Sequence, residues 1–279
     1  MKRTSFCQRG DVRIAYARAG SGPVVVFLHG VGGNRRNWEE QLAHLSAHFT
    51  CVAWDARGYG DSDDPDQPLA FADFAEDLHA LLASLGASRA HLVGLSMGGF
   101  IAQDFYARYP ASVATLTLAS TSAGAGLLTQ QARDDFLARR LRPLEEGASM
   151  REVAQGLVSV LAGSRADDTV RATLRRSLEA LRAEPYKQTL RALVTTDFRD
   201  GLARIAVPTL VIVGDEDRVL PEPESRLLSA RIPRSRLVVL PGVGHLCNLE
   251  APAAFDAALL DFLLANSDQG ASHLPAEVK

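Results

Sequence analysis

Ser96 stands inside Gly94-Leu95-Ser96-Met97-Gly98, three acids follow one another at Asp215, Glu216 and Asp217, and His245 follows the glycine-rich Pro241-Gly242-Val243-Gly244. These are residue types suited to nucleophilic catalysis. A serine hydroxyl attacks poorly near neutral pH unless a base takes its proton, and the base needs an acid to fix its tautomer. A five-residue serine motif recurs by chance, and serine often caps helices, so the setting carries the weight. Here the apolar run His91 to Leu95 precedes Ser96 and a helical pattern from Gly98 to Arg108 follows it, the strand–turn–helix context in which the motif has meaning. Glycines at 94, 98 and 99 remove side chains that would obstruct such a turn, and amides at the helix start face a developing oxyanion.

The acids follow the strand pattern Pro208 to Gly214, and His245 follows Arg236 to Leu240, so each is placed at the carboxyl end of a strand, where Ser96 also lies. The residues alone leave Asp215, Glu216 and Asp217 open as partners of the base. His44, His48, His79 and His273 have no comparable setting.

The elements that position these groups alternate. Val12 to Ala17 reads as an opening strand and Val24 to Leu28 as a second, apolar at every position, which is the signature of a strand covered on both faces. A helix is expected over Trp38 to Ala47, a strand over Phe49 to Trp54, a helix over Phe71 to Leu85 and a strand over Val113 to Ala119. The rhythm then gives way to Leu, Ala, Arg and Glu in helical spacing, read as three or four helices punctuated by Pro143, Gly147, Gly163 and Pro185. Strands return at Pro208 to Gly214 and Arg236 to Leu240, with helices around Glu224 to Ala230 and Ala253 to Leu264. The segment 266–279 is polar and aperiodic and is expected to be mobile.

Composition excludes several classes. The chain has 279 residues, a formal charge of −3 and no basic stripe, which argues against nucleic acid as a partner. The start lacks a secretory h-region, and no stretch is long and apolar enough to span a membrane. Cys7, Cys51 and Cys247 form no CxxC or Cys/His ligand pattern, which fits reduced thiols and a cytoplasmic location.

From about Asp11 to Leu264 the chain resembles the α/β-hydrolase family. The matching pieces are His29-Gly30, Asp55-Ala56-Arg57-Gly58-Tyr59-Gly60-Asp61-Ser62, Gly94 to Gly99, Pro208 to Asp217, and Gly244-His245 with Glu250-Ala251-Pro252. The resemblance implies a mostly parallel central sheet with helices on both faces and a helical cap inserted after the sixth strand. The core is then expected over 1–124 and 200–265 and the cap over 125–199. It also implies a catalytic triad of Ser96, Asp217 and His245, because the family's acid stands three residues after the strand-ending glycine, which favours Asp217 over Asp215. The oxyanion hole carries over to the backbone amides of Met97 and Val31, with His29 shaping the loop and Arg57 bracing loops. No metal or organic cofactor is implied.

Gly94 to Gly99, Asp197-Phe198-Arg199-Asp200 and His245 to Glu250 are similar to 3-oxoadipate enol-lactonases and neighbouring small esterases. The expected reaction is hydrolysis of a carboxylic ester or lactone of a small molecule, one that bears a carboxylate if Arg35 and Arg36 contact it. Asn34 and Trp38 are further candidates for the pocket edge. Competing readings are hydrolysis of a carbon–carbon bond in a ring-cleavage product, disfavoured by Leu95 and the few aromatics, and perhydrolase or haloperoxidase-type chemistry. A ligand receptor built on a hydrolase scaffold is the non-enzymatic alternative.

Overall fold

The computed structural model describes residues 3–65, 68–126, 128–268 and 271–275, and in it the run Val24 to Leu28 occupies the middle of the sheet. Its side chains alternate between two cores. Val24, Val26 and Leu28 pack with Phe74, Leu78, Ile101 and Phe105 on one face. Val25 and Phe27 pack with Trp38, Leu42, Phe255 and Leu259 on the other. A strand with helices on both faces has no solvent side, so no polar alternation survives in it.

The strands are β1 (Thr4–Arg9), β2 (Val12–Ala19), β3 (Gly22–Leu28), β4 (Thr50–Trp54), β5 (Ala90–Leu95), β6 (Val113–Ala119), β7 (Thr209–Gly214), β8 (Ser235–Leu240) and β9 (His273–Leu274). They are ordered β1-β2-β4-β3-β5-β6-β7-β8, with β9 on β3. From β4 to β8 every neighbouring pair is parallel, whereas β1 and β2 form an antiparallel edge. The sequence pattern does not disclose β1. Only Cys7 of that strand is buried, so it lacks the apolar alternation by which a half-buried strand is recognised.

Helices α1 (Glu39–Leu45) and α10 (Pro252–Leu264) contribute to one face, and α2 (Ala72–Ser84), α3 (Met97–Arg108) and α8 (Glu222–Arg231) to the other. The short α9 (Cys247–Glu250) precedes α10. Between β6 and β7 the chain leaves the sheet and forms α4 (Gln130–Glu145), α5 (Met150–Leu161), α6 (Asp168–Glu179) and α7 (Ala183–Leu193). Three of these open on a side-chain cap: Thr129 accepts from Ala132 N, Ser149 from Glu152 N and Asp167 from Val170 N. Each cap satisfies one of the amides that a helix start leaves without an internal acceptor. Pro143 and Pro185 do not separate helices. They lie within α4 and the first turn of α7, the latter a place where a missing N–H removes no helical bond.

Within the segment expected to be mobile, residues 271–275 lie against the sheet. His273 and Leu274 pair antiparallel with Pro23 and Gly22, the Val24 amide donates to Ser272 O at 2.9 Å, and Ser272 N donates to Arg89 O at 2.7 Å. Ala271 is buried. The docking is made chiefly by backbone groups, which carry no side-chain periodicity, so a polar sequence hides it. Residues 269–270 and 276–279 of that expectation lie outside the described residues.

Candidate active site

Ser96 is the only residue between β5 and α3, and the reversal forces it to φ 55° and ψ −117°, a region costly for a residue with a side chain. The surroundings hold it there. Ser96 N donates to Ala119 O at 2.9 Å, and Ser96 O accepts from Gly99 N at 2.9 Å and from Thr121 Oγ1 at 2.8 Å. The glycines are close-approach positions: a Cβ on Gly98 would lie 2.0 Å from Leu28 O, and one on Gly94 2.3 Å from Gly98 O. The β5 strand, the α3 helix and the end of β3 can meet only where side chains are missing.

The three acids after β7 have three different partners. Asp215 accepts from the Gly242 amide at 2.7 Å, and Glu216 accepts from the Ser164 amide at 2.6 Å and hydroxyl at 2.7 Å. Asp217 alone meets the histidine, its Oδ2 2.8 Å from His245 Nδ1. Its Oδ1 accepts from the amides of Val219 and Leu220 at 2.9 and 3.0 Å. Burial raises the Asp217 pKa, but the His245 charge, the His245 hydrogen bond and these amides outweigh it and hold the carboxyl below its ordinary value. An ionised Asp217 accepts from Nδ1–H, which leaves Nε2 as the basic ring atom.

His245 is almost fully buried and its loop is tied down on several sides. Its amide donates to Leu161 O at 2.8 Å, while the Glu250 carboxylate accepts from Gly244 N, Leu246 N and Gly163 N at 2.9, 3.2 and 2.8 Å. Leu161 and Gly163 belong to the inserted segment, so the loop carrying the histidine is fixed jointly by sheet and insertion. In the sequence, only the family resemblance marks Glu250. Its role depends on contacts 87 residues apart, which no local spacing reveals.

Ser96 and His245 line one cavity of about 520 Å³ between the sheet edge and the inserted helices. Val31 and Met97 line it as well. Met97 is the first residue of α3, where amides lack an internal helical acceptor, and the Val31 amide makes no hydrogen bond to a described residue. His29 stays out of this cavity. Its Nε2 accepts from Ala56 N at 3.0 Å and its Nδ1 donates to Gly30 O at 2.8 Å, so it shapes the loop, and burial lowers its pKa. Arg57 makes a buried pair with Asp77, its Nε and Nη2 2.8 and 2.6 Å from the two carboxylate oxygens.

The expected substrate contacts are placed elsewhere. Arg35 is buried and bonds Asp55, Asp61 (2.5 Å) and the Thr4 hydroxyl (2.8 Å), so its charge is consumed within the protein. Arg36 is exposed and does not line the cavity. Asn34 caps the turn Arg35–Trp38 by accepting from Arg36 N at 2.9 Å. Trp38 is a core residue packed on Phe27 and Phe255, with ring centroids 5.2 and 6.1 Å away. It borders only a separate space of about 20 Å³, one water in size, that also touches Ser96 and His245. Sequence reasoning missed the opposite wall, formed by Phe136 and Arg140 of α4, Leu161 of α5 and Tyr186 of α7. Helical spacing marks an apolar face but does not tell which helix turns it toward the cavity.

The alpha/beta hydrolase fold family model matches residues 23–252. The chain belongs to the α/β-hydrolase fold family. This α/β-hydrolase is 30% identical over 253 residues to 3-oxoadipate enol-lactonase 2 of Acinetobacter baylyi, a match covering 89% of this chain and 92% of that protein. Among solved structures it is similar to a hydrolase from Pseudomonas aeruginosa at 35% identity and a TM-score of 0.84, covering 94% of this chain and 98% of the other. It is also similar to the enol-lactonase from Burkholderia xenovorans at 26% identity and a TM-score of 0.86, covering 93% and 100%. The chain is accordingly a hydrolase. Among the described residues no helix is long and apolar enough to cross a membrane.

Proposed function

We propose that this hydrolase cleaves a carboxylic ester or lactone of a small molecule through an acyl-enzyme on Ser96, with His245 as general base and Asp217 as its orienting acid. The observation that carries this reading is the 2.8 Å contact of Asp217 with His245 Nδ1, on a histidine that shares its cavity with a serine held at positive φ.

Ser96 Oγ attacks the carbonyl carbon and its proton passes to His245 Nε2. The carbonyl oxygen becomes an oxyanion facing the Met97 and Val31 amides, each such donor being worth about 3–4 kcal/mol in the transition state. As the intermediate collapses, His245 gives its proton to the departing alkoxide, which in a lactone stays tethered to the acyl group. Water then loses a proton to His245 and attacks the acyl carbon, releasing the acid and restoring Ser96. The inserted segment, 125–199, acts as a cap that keeps bulk water from the acyl-enzyme. We place the protein in the cytoplasm, a reading supported by three free, buried cysteines.

The test is a panel of p-nitrophenyl esters, small lactones, dienone acids and an ester with peroxide, run with wild type and Ser96→Ala. Ester or lactone turnover that falls by about four orders of magnitude in Ser96→Ala supports the reading. Ser96-dependent turnover confined to dienone acids would replace it with carbon–carbon bond hydrolysis. Turnover confined to peroxide would indicate perhydrolysis. Absence of Ser96-dependent turnover on every class, together with failure of a fluorophosphonate to label Ser96, would indicate a receptor.

A further inference from the structure

One wall of the cavity holds a cation with no counter-charge. Arg140, on α4, lines the space shared by Ser96 and His245, and its guanidinium carbon sits 4.1 Å above the centroid of the Phe136 ring. Among the described residues it makes no ion pair. The titratable groups that act on it are the Tyr186 phenol and the neighbouring Arg139, not a carboxylate, and burial pulls its pKa down. Arg140 is half-buried, whereas the fully buried Arg35 and Arg57 are each matched to aspartate. Drawing a guanidinium partly out of water without a partner is unfavourable, so a cation left this way on a cavity wall has an electrostatic demand that a ligand can meet.

Tyr186 adds a second donor. It is 2% exposed and lines the same cavity, and its hydroxyl makes no hydrogen bond to a described residue. Burial raises its pKa and Arg140 only partly offsets this, so the phenol keeps its proton at neutral pH. A planar guanidinium fork beside a phenolic O–H is a fitting receptor for a carboxylate, which takes two bonds from the fork and a third from the hydroxyl. Two acids border the cavity without cancelling the charge: Asp135 is exposed and accepts from Gln131 Nε2 at 2.8 Å, and Glu224 belongs to α8. Neither is paired with Arg140.

We propose that Arg140 and Tyr186 form a carboxylate-binding subsite, so that the substrate is an ester or lactone carrying a second, free carboxylate at the end held by the inserted helices. The subsite rests on the assignment of Ser96 as the nucleophile. It also moves anion recognition from Arg35 and Arg36, at the oxyanion loop, to the wall made by α4 and α7.

The experiment compares mono-p-nitrophenyl adipate with p-nitrophenyl hexanoate, which share an acyl chain and differ in the terminal charge. Wild type is expected to favour the adipate ester, and Arg140→Met to lower the ratio of the two kcat/KM values by at least about tenfold, mainly through KM. Arg140→Lys restores part of the ratio, and Tyr186→Phe lowers it by a smaller factor. Calorimetric titration of adipate into Ser96→Ala gives a readout free of chemistry, with binding lost in Ser96→Ala/Arg140→Met. An unchanged ratio in Arg140→Met, or adipate binding that does not depend on Arg140, overturns the subsite. Fluorophosphonate labelling separates the two failures. Labelled Ser96 without charge preference rejects the subsite alone. Unlabelled Ser96 rejects the acyl-enzyme, while Arg140-dependent adipate binding would still establish the subsite.

Discussion

Glu250, at the end of α9, accepts a hydrogen bond from the Gly163 amide of the inserted segment at 2.8 Å, through the same oxygen that accepts from Gly244 N. With the Leu246 amide on its other oxygen, the carboxylate ties down both chain neighbours of His245. It is thus the point at which the insertion and the histidine loop share one anchor.

Replacing Glu250 by glutamine turns one acceptor into a donor that faces an amide. Glu250→Gln is expected to cost about 2 kcal/mol in chemical denaturation, since hydrogen bonds to a charged acceptor are the stronger ones. It should also lower kcat about tenfold with little change in KM, because the loop that aims the imidazole loosens. A stability loss with unchanged kcat would make Glu250 a brace without influence on His245.

Asp217 and Asp215 stand two residues apart but hold different things. Asp217→Asn is expected to reduce kcat by about four orders of magnitude, because the amide stabilises the wrong imidazole tautomer. Asp215→Asn keeps an oxygen that can accept from Gly242 N and should cost less than about tenfold. Steady-state turnover of a p-nitrophenyl ester measures both, and the reverse ranking would reassign the acid.

Gly98→Ala and Gly156→Ala should move stability in opposite directions. A Cβ at Gly98 would lie 2.0 Å from Leu28 O, so the elbow must open, at about 3 kcal/mol or more. Gly156 is exposed within α5 and an added Cβ meets nothing within 4 Å, so alanine should stabilise by about 0.5–1 kcal/mol. Denaturation midpoints of the two variants give the comparison.

His91 provides a pH signature. It is fully buried, its Nδ1 bonds Thr115 Oγ1 at 2.9 Å, and burial followed by the Arg89 charge lowers its pKa from 6.5 to about 4. Between pH 4 and 6.5 the unfolded chain binds a proton there that the folded chain does not, so folding stability falls as pH drops through this window and levels off below it. The full effect is about 3 kcal/mol at about 1.4 kcal/mol per pH unit. The stability difference between wild type and His91→Leu, measured by denaturation from pH 7 to pH 4, should shift by roughly that amount. A constant difference would show that His91 takes up its proton over the same pH range in the folded chain as in the unfolded one.

The sheet and its main residues were legible in the sequence because their determinants are local. Val24 to Leu28 announces a strand covered on both faces, and the glycines around Ser96 record how closely three backbones approach. The antiparallel edge strand Thr4–Arg9 and the docked segment 271–275 were not legible, since both are held chiefly by backbone bonds and bury few apolar side chains. The arginines make the same distinction more sharply. Arg35 and Arg36 adjoin the His29-Gly30-Val31 loop, yet Arg35 is spent on Asp55 and Asp61 while Arg140, ordinary in its sequence, lines the cavity.

By itself the sequence determined the family, the order of the strands and helices from β2 to α10 in outline and the serine, acid and histidine candidates, because each is written in residues close together in the chain. The family resemblance already favoured Asp217 over Asp215; only the tertiary structure decided what Asp215 and Glu216 hold instead, that Glu250 anchors the loop to the insertion, and which side chains wall the cavity. Those outcomes depend on hydrogen-bond geometry and on the rotation of one packed helix against another, and neither is set by the spacing of residues along a chain.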